Sequence, residues 1–283
     1  MQVILSDKFE LGLLYLTLAG YLLAAVLYWL RFFIKNDLLL RFANAIAITG
    51  LTGNGLILIV RVVRFGQFTL INSYEFLLLF SGFTVLFGLM LILRNQLRII
   101  GAFVLPIAGG LLLYALLLIQ QNTVNYSQIP IYRSPWLTGY TLASALSYSA
   151  FAVSFGFGMM FLVKEYLART ASKGVYYQEL PSLDTLDDVG YRLLSIAFPF
   201  FSASIILGAV WANLAWGSYW SWAAKETWSL ISWLAYIAYF HARMLHGWRG
   251  NRSAWMAVMG FLAIVFTFFG VTYFLPGQNI LSG

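Results

Sequence analysis

Residues 211–233 read WANLAWGSYWSWAAKETWSLISW and hold six of the chain's ten tryptophans: Trp211, Trp216, Trp220, Trp222, Trp228 and Trp233. Between them lie Gly217, Ser218, Tyr219, Ser221, Ala223 and Ala224, then the charged pair Lys225–Glu226. Long apolar runs, Leu193–Val210 and Leu230–Phe240, flank the stretch. A tryptophan-rich segment with a polar tip between two membrane-length runs belongs at the bilayer–water boundary, where an indole buries its ring and keeps its N–H wet. An ordinary aromatic belt is one reading. Six indoles in one connection point further, to a surface built to hold something flat and apolar.

The rest of the chain agrees with a membrane setting. Its 283 residues are 61% hydrophobic and 10% charged, against about 25% charged residues in soluble domains, and the mean hydropathy is +0.81. Apolar runs of this length predict an all-α integral membrane protein of about eight transmembrane helices. They cover Leu11–Phe33, Ala43–Val60, Phe76–Leu93, Ile99–Ile119, Leu137–Leu162, Leu193–Val210, Thr227–Leu245 and Ala254–Phe274. Pro106 in the fourth span is expected to kink it and free a backbone carbonyl. Residues 1–283 read as a single polytopic domain, with 164–190 as a solvated inner loop containing some helix. The first ten residues, with Asp7, Lys8 and Glu10, lack the basic n-region of a cleaved signal peptide.

Charge sets the orientation. With both termini outside, five basic residues (Lys8, Arg61, Arg64, Arg133 and Lys225) face outward and the other twelve face inward, as the positive-inside rule requires. The tryptophan segment then lies on the outer face. The +7 net charge follows this topology and is no sign of nucleic-acid binding. The absence of cysteine excludes disulfide and thiolate chemistry, and two histidines exclude a His-rich metal cluster.

The 211–233 stretch resembles the tryptophan-rich WWD signature of the cytochrome c assembly proteins, and most of all that of their CcsA (ResC-like) branch. That branch reads W-A-N-x-A-W-G-x-Y-W-S-W-D-P-K-E-T-W; this chain departs at Asp-Pro, where it has Ala223–Ala224. The likeness extends to Arg61, Gly66 and Asn72-Ser73-Tyr74-Glu75, to Gly101–Pro106, to Ala197-Phe198-Pro199, and to Tyr239-Phe240-His241-Ala242-Arg243. It implies a multi-pass protein of a bacterial cytoplasmic or thylakoid membrane that handles haem. Its partners would be a CcsB-type membrane protein and apocytochrome c, within a system II cytochrome c haem lyase.

Site residues follow from the same likeness. Trp211, Trp216, Trp220, Trp222 and Trp228 would form the haem-binding surface, Arg61 or Arg64 could hold a propionate bidentately, and Lys225 reads as a propionate or partner contact. His241 falls where relatives carry an intramembrane haem ligand, and is the candidate for haem iron. An ionisable residue about fourteen positions into a span is a functional candidate on physical grounds as well, and neutral imidazole is a good axial ligand. His246, five residues on and 140° around a helix, is expected on a different face from His241. Glu75 reads either as an N-terminal helix charge or as a partner of Arg61 or Arg64.

Two positions depart from the family. Relatives carry one outer histidine where this chain has Tyr140, and a second where it has Asn279. A bis-histidine site at the outer face is thereby excluded. A tyrosine phenolate can ligate ferric haem, whereas asparagine is a poor ligand. Two functions remain open at this level. One is a CcsA-type biogenesis protein presenting haem at the outer face for attachment to apocytochrome c. The other is a divergent paralogue serving as a structural or cofactor-binding subunit of a membrane complex, without lyase activity.

Overall fold

The structure, a computed structural model, describes residues 2–34, 36–65, 72–92, 97–119, 130–170 and 175–274. In chain order its helices are α1 (Gln2–Phe33), α2 (Asp37–Phe65), α3 (Ser73–Ile92), α4 (Gly101–Leu118), α5 (Pro135–Arg169), α6 (Val175–Glu179), α7 (Leu183–Trp216), α8 (Ala224–Leu245), α9 (Asn251–Val265) and α10 (Val271–Phe274). A 3-10 turn, Pro130–Arg133, precedes α5, and a π turn, Phe266–Gly270, joins α9 to α10. Among the described residues, seven helices are long and apolar enough to cross a membrane. The eighth expected span is α8, whose 22 residues reach about 33 Å at 1.5 Å per residue. Its tryptophans, tyrosines, His241 and Arg243 lower its hydropathy, not its length. The protein is a multi-pass, all-α membrane protein.

The bundle is organised around α5, which packs against α3, α7 and α9. Its sequence explains this position. Small residues recur along it, and Ala145, Ser147, Ser149, Ala150, Ala152 and Ser154 are buried, which lets neighbouring backbones approach closely. The serines do not stay unpaired: Ser149 Oγ donates to the Phe80 carbonyl at 2.9 Å and Ser154 Oγ to the Gly190 carbonyl at 3.0 Å.

Pro106 behaves as its chemistry requires. Proline in a helix leaves the carbonyl four residues earlier without its donor, here that of Ala102. Trp29 Nε1 on α1 donates to that oxygen at 3.0 Å. Trp29→Phe should therefore cost about 1 kcal/mol in thermal unfolding. The cost should shrink when Pro106→Ala restores a backbone donor.

Two expectations are corrected. The 164–190 stretch holds more helix than expected among the described residues: α5 continues to Arg169, α6 covers Val175–Glu179 and α7 starts at Leu183, ten residues before the predicted span. Lys164 is buried there, donating to the carbonyls of Leu180 (2.7 Å) and Pro181 (2.8 Å). Its stem packs in the bundle while its ammonium caps a turn, so a charge that reads as a loop residue holds the loop against α5. The tryptophan stretch is likewise not one connection. Only residues 217–223 lie between helices; Trp211 and Trp216 end α7, and Trp228 and Trp233 belong to α8.

Candidate functional site

The tip of the α7–α8 hairpin is built by local backbone chemistry. Gly217 ends α7 in the left-handed region (φ +76°), its N–H returning to the Asn213 carbonyl at 2.8 Å. Glycine takes this conformation without a Cβ penalty. Trp222 also has a positive φ, +59°, and is the only non-glycine to do so among the described residues. That geometry costs an L-residue about 1–2 kcal/mol, so its surroundings must hold it. Glu226, in the first turn of α8, reaches back to accept from Ser221 N at 2.8 Å and Ser221 Oγ at 3.1 Å. Thr227 Oγ1 donates to the Trp222 carbonyl at 3.2 Å. Trp222 is thereby presented outward, 69% exposed.

The indoles meet edge to face. Trp211 and Trp216 are 6.3 Å apart at 87°, and Trp220 and Trp222 are 5.8 Å apart at 86°. The rings therefore form corners and not a single flat floor. Trp211 is buried, and its Nε1 donates to the Ile131 carbonyl at 3.3 Å, beside the Tyr132 ring. Trp228 packs on Phe266 of the π turn at 4.4 Å. Trp220 differs from the others: its Nε1 is buried and has no acceptor among the described residues. Trp233 lies deeper, donating to Ser202 Oγ at 2.9 Å and stacked on Phe198.

The departure at Ala223–Ala224 has a structural meaning. Ala223 is the N-cap of α8 and makes no side-chain cap. Aspartate and proline are favoured at the N-cap and first helical positions, so an Asp-Pro here would suit the start of α8. Here no side chain caps α8 from Ala223, and Glu226 bonds Ser221, ahead of the helix. Ala223→Asp should raise stability by about 1 kcal/mol, read as a higher Tm.

Tyr140, in the second turn of α5, is half-buried against Gly208 of α7. A Cβ at position 208 would lie 3.1 Å from the Tyr140 ring, so glycine is what lets the ring this close. Gly208 is one helical turn before Trp211, placing Tyr140 beside the tryptophan end of α7. Asn279 lies outside the described residues. Lys225 holds its Nζ 5.9 Å from the Phe268 ring centroid.

Arg61 is corrected. It reads from sequence as a surface arginine able to hold a propionate, but it is buried. Its Nη1 donates to Glu10 at 2.9 Å, while Nε and Nη2 donate to Glu75 at 3.1 and 2.8 Å. Tyr74 OH also donates to Glu10 at 2.9 Å. Glu75 is thus the partner of Arg61, and the helix cap is Asn72, whose Oδ1 accepts from Glu75 N at 3.0 Å. The cluster ties α1, α2 and α3 together.

His241 lies on the exposed face of α8. Ile231, Leu234, Ile237, Met244 and Leu245 share that exposure and make an apolar stripe around it. The opposite stripe, Ser232, Tyr236, Tyr239 and Arg243, is buried. Arg243 sets this rotation: its two terminal nitrogens grip Asp187 of α7 at 2.9 and 2.8 Å, and Nη1 also donates to Ser253 of α9 at 2.9 Å. The bidentate pair fixes geometry as well as charge. Sequence reading missed this clamp, since Asp187 and Arg243 are 56 residues apart and Asp187 sits in an unremarkable acidic run.

The expectation for His246 is also corrected. The two histidine rings lie 5.7 Å apart, centroid to centroid. His246 is the C-cap of α8, with φ −103° and ψ 0°, so the helical 140° rotation does not carry through to it.

Comparison with known proteins adds a common ancestry to this geometry. The family profile described as cytochrome C assembly protein matches residues 70–278. The cytochrome c biogenesis protein CcsA of Guillardia theta is 32% identical, covering 96% of this chain and 95% of its own. That of Gloeobacter violaceus is 30% identical, with 92% of each covered. Among solved structures, a cytochrome c heme lyase CcmF superposes with a TM-score of 0.64 at 17% identity, over 96% of this chain. The chain spans half the length of that lyase, and the likeness is one of fold.

Proposed function

This chain belongs to the cytochrome c assembly protein family, and from that premise we propose that it handles haem within the membrane and presents it at the outer face for attachment to apocytochrome c. The observation that carries the reading is the place of His241. A histidine among exposed aliphatic side chains at membrane depth is costly unless something polar meets it. Haem iron is a suitable partner for its neutral imidazole. Since that face of α8 is exposed among the described residues, a membrane partner of the CcsB type would close the site from the opposite side.

The outer face fits the same cargo. The buried Trp220 Nε1–H calls for an acceptor, and a haem propionate would supply one. Trp216 and Trp222, both exposed, offer ring faces to the macrocycle. Tyr140, against Gly208, is a potential iron ligand near this end of α7. Both termini and the tryptophan tip lie outside in this reading, and the whole chain acts as one polytopic domain.

The test is co-expression with a CcsB-type partner and a reporter apocytochrome c, in a host stripped of its own assembly system. Covalent haem on the reporter is expected; a reporter without covalent haem, beside a well-folded membrane protein, would overturn the reading. Restoring the family's two outer histidines with Tyr140→His and Asn279→His should raise the haem retained per chain. No gain in a pyridine haemochrome assay would mean that these two positions do not face a shared haem pocket.

A further inference from the structure

We propose that a crevice between α4 and α9 is a binding site for the acyl chain of an anionic phospholipid. The crevice encloses roughly 200 Å³ and every residue lining it is apolar or glycine. Phe80, Leu111, Phe261 and Ile264 form its buried floor. Pro106 and Gly110, both exposed and four residues apart on α4, form its rim. Residues so spaced share one helix face, and the same side of the bundle continues into exposed Leu113, Leu117, Met259 and Leu262. The opening therefore lies toward the hydrocarbon and not toward water.

The shape has identifiable causes. α4 packs on α1 and α3 while α9 packs on α5 and α8, which leaves the space between α4 and α9 to side chains alone. Pro106 interrupts α4 at the crevice, and the π turn Phe266–Gly270 widens α9 at its outer end. A π turn inside a helix is often found at functional sites. Water has no reason to enter, because it needs two to four polar partners, and apolar cavities of about 150 Å³ stay dry and take up hydrocarbon ligands such as benzene. In a bilayer the hydrocarbon at hand is an acyl chain.

The outer end of the crevice decides the headgroup. Phe268 lines the crevice and stacks on Phe76 at 4.9 Å, and Lys225 Nζ stands 5.9 Å from its centroid. From Phe261 to Phe268 the crevice runs about 10 Å along α9, so a chain lying in it places its polar end near that ammonium. A cation there favours a phosphodiester with net negative charge over a zwitterion. The crevice is lined by neither His241 nor any of the tryptophans.

The test is native mass spectrometry of the protein released from vesicles of phosphatidylcholine and phosphatidylglycerol in equal parts. Wild type should retain phosphatidylglycerol preferentially. Gly110→Phe should abolish this adduct: a Cβ at position 110 meets no atom within 4 Å, so the larger side chain enters open space. Gly110→Leu, a smaller filling, serves if the phenylalanine variant fails to fold. Lys225→Gln should remove the preference for phosphatidylglycerol. Equal adducts of the two lipids on wild type, or an unchanged adduct in the filled variants, would overturn the proposal.

Discussion

Arg61→Met is expected to abolish accumulation of folded protein or to lower its Tm further than any other single change considered. The guanidinium is 6% exposed and lies between Glu10 and Glu75, each about as buried. Two carboxylates share one arginine at hydrogen-bond distance, and Tyr74 OH adds a donor to Glu10. Removing one member of a buried ion pair costs about 3–5 kcal/mol, because the other charge stays behind without compensation. Here two charges would stay behind. Arg64 lies 3.7 Å from Glu10 and offers partial relief to that residue. The loss should therefore be eased when Glu75→Gln is combined with Arg61→Met, since the remaining carboxylate then has Arg64 and Tyr74. Thermal unfolding in detergent, followed by size exclusion, reads both. Equal stability of Arg61→Met and wild type would show that the cluster is not a fastening of α1, α2 and α3.

His241→Ala is the second large effect, and it falls on haem and not on folding. The imidazole is exposed and makes no contact that holds α8 in place; the rotation of α8 comes from Arg243, Asp187 and Ser253 on its other side. The variant should therefore fold with a near wild-type Tm. Haem retained per chain should fall on the order of tenfold or more, as loss of even an outer-shell partner costs a metal site about 10–100-fold. His246→Ala provides the contrast. Its ring touches that of His241, so it can position the ligand without being one, and its removal should shift the spectrum with a smaller loss of haem. An unchanged Soret band in His241→Ala would exclude this residue as an essential ligand.

Much of the fold was legible because membrane spans announce themselves by length and apolarity. All eight expected spans match helices, with ends displaced where charged residues extend a helix beyond the bilayer, as at Lys164 and Leu183. The family was legible from the tryptophan stretch. What could not be read was rotation and pairing. Nothing local distinguishes Arg61, buried between two carboxylates, from an arginine at a helix end facing water. The Arg243–Asp187 clamp joins residues from separate helices, and only the packed bundle reveals that it turns His241 outward. The contact between His241 and His246 escaped for a local reason: a helical projection assumes a helix, and α8 ends at Leu245. The departure at Ala223–Ala224 reads in the sequence only as a break in the tryptophan-rich signature. In the structure Ala223 starts α8 without a side-chain cap.

The most direct measurement is an optical spectrum of the purified protein with its native partners, oxidised and reduced, with haem counted per chain. A b-type spectrum with haem in stoichiometric amount is expected, lost in His241→Ala. Folded wild-type protein without a Soret band would contradict it, and would point to a family member that has kept the tryptophan scaffold for another purpose.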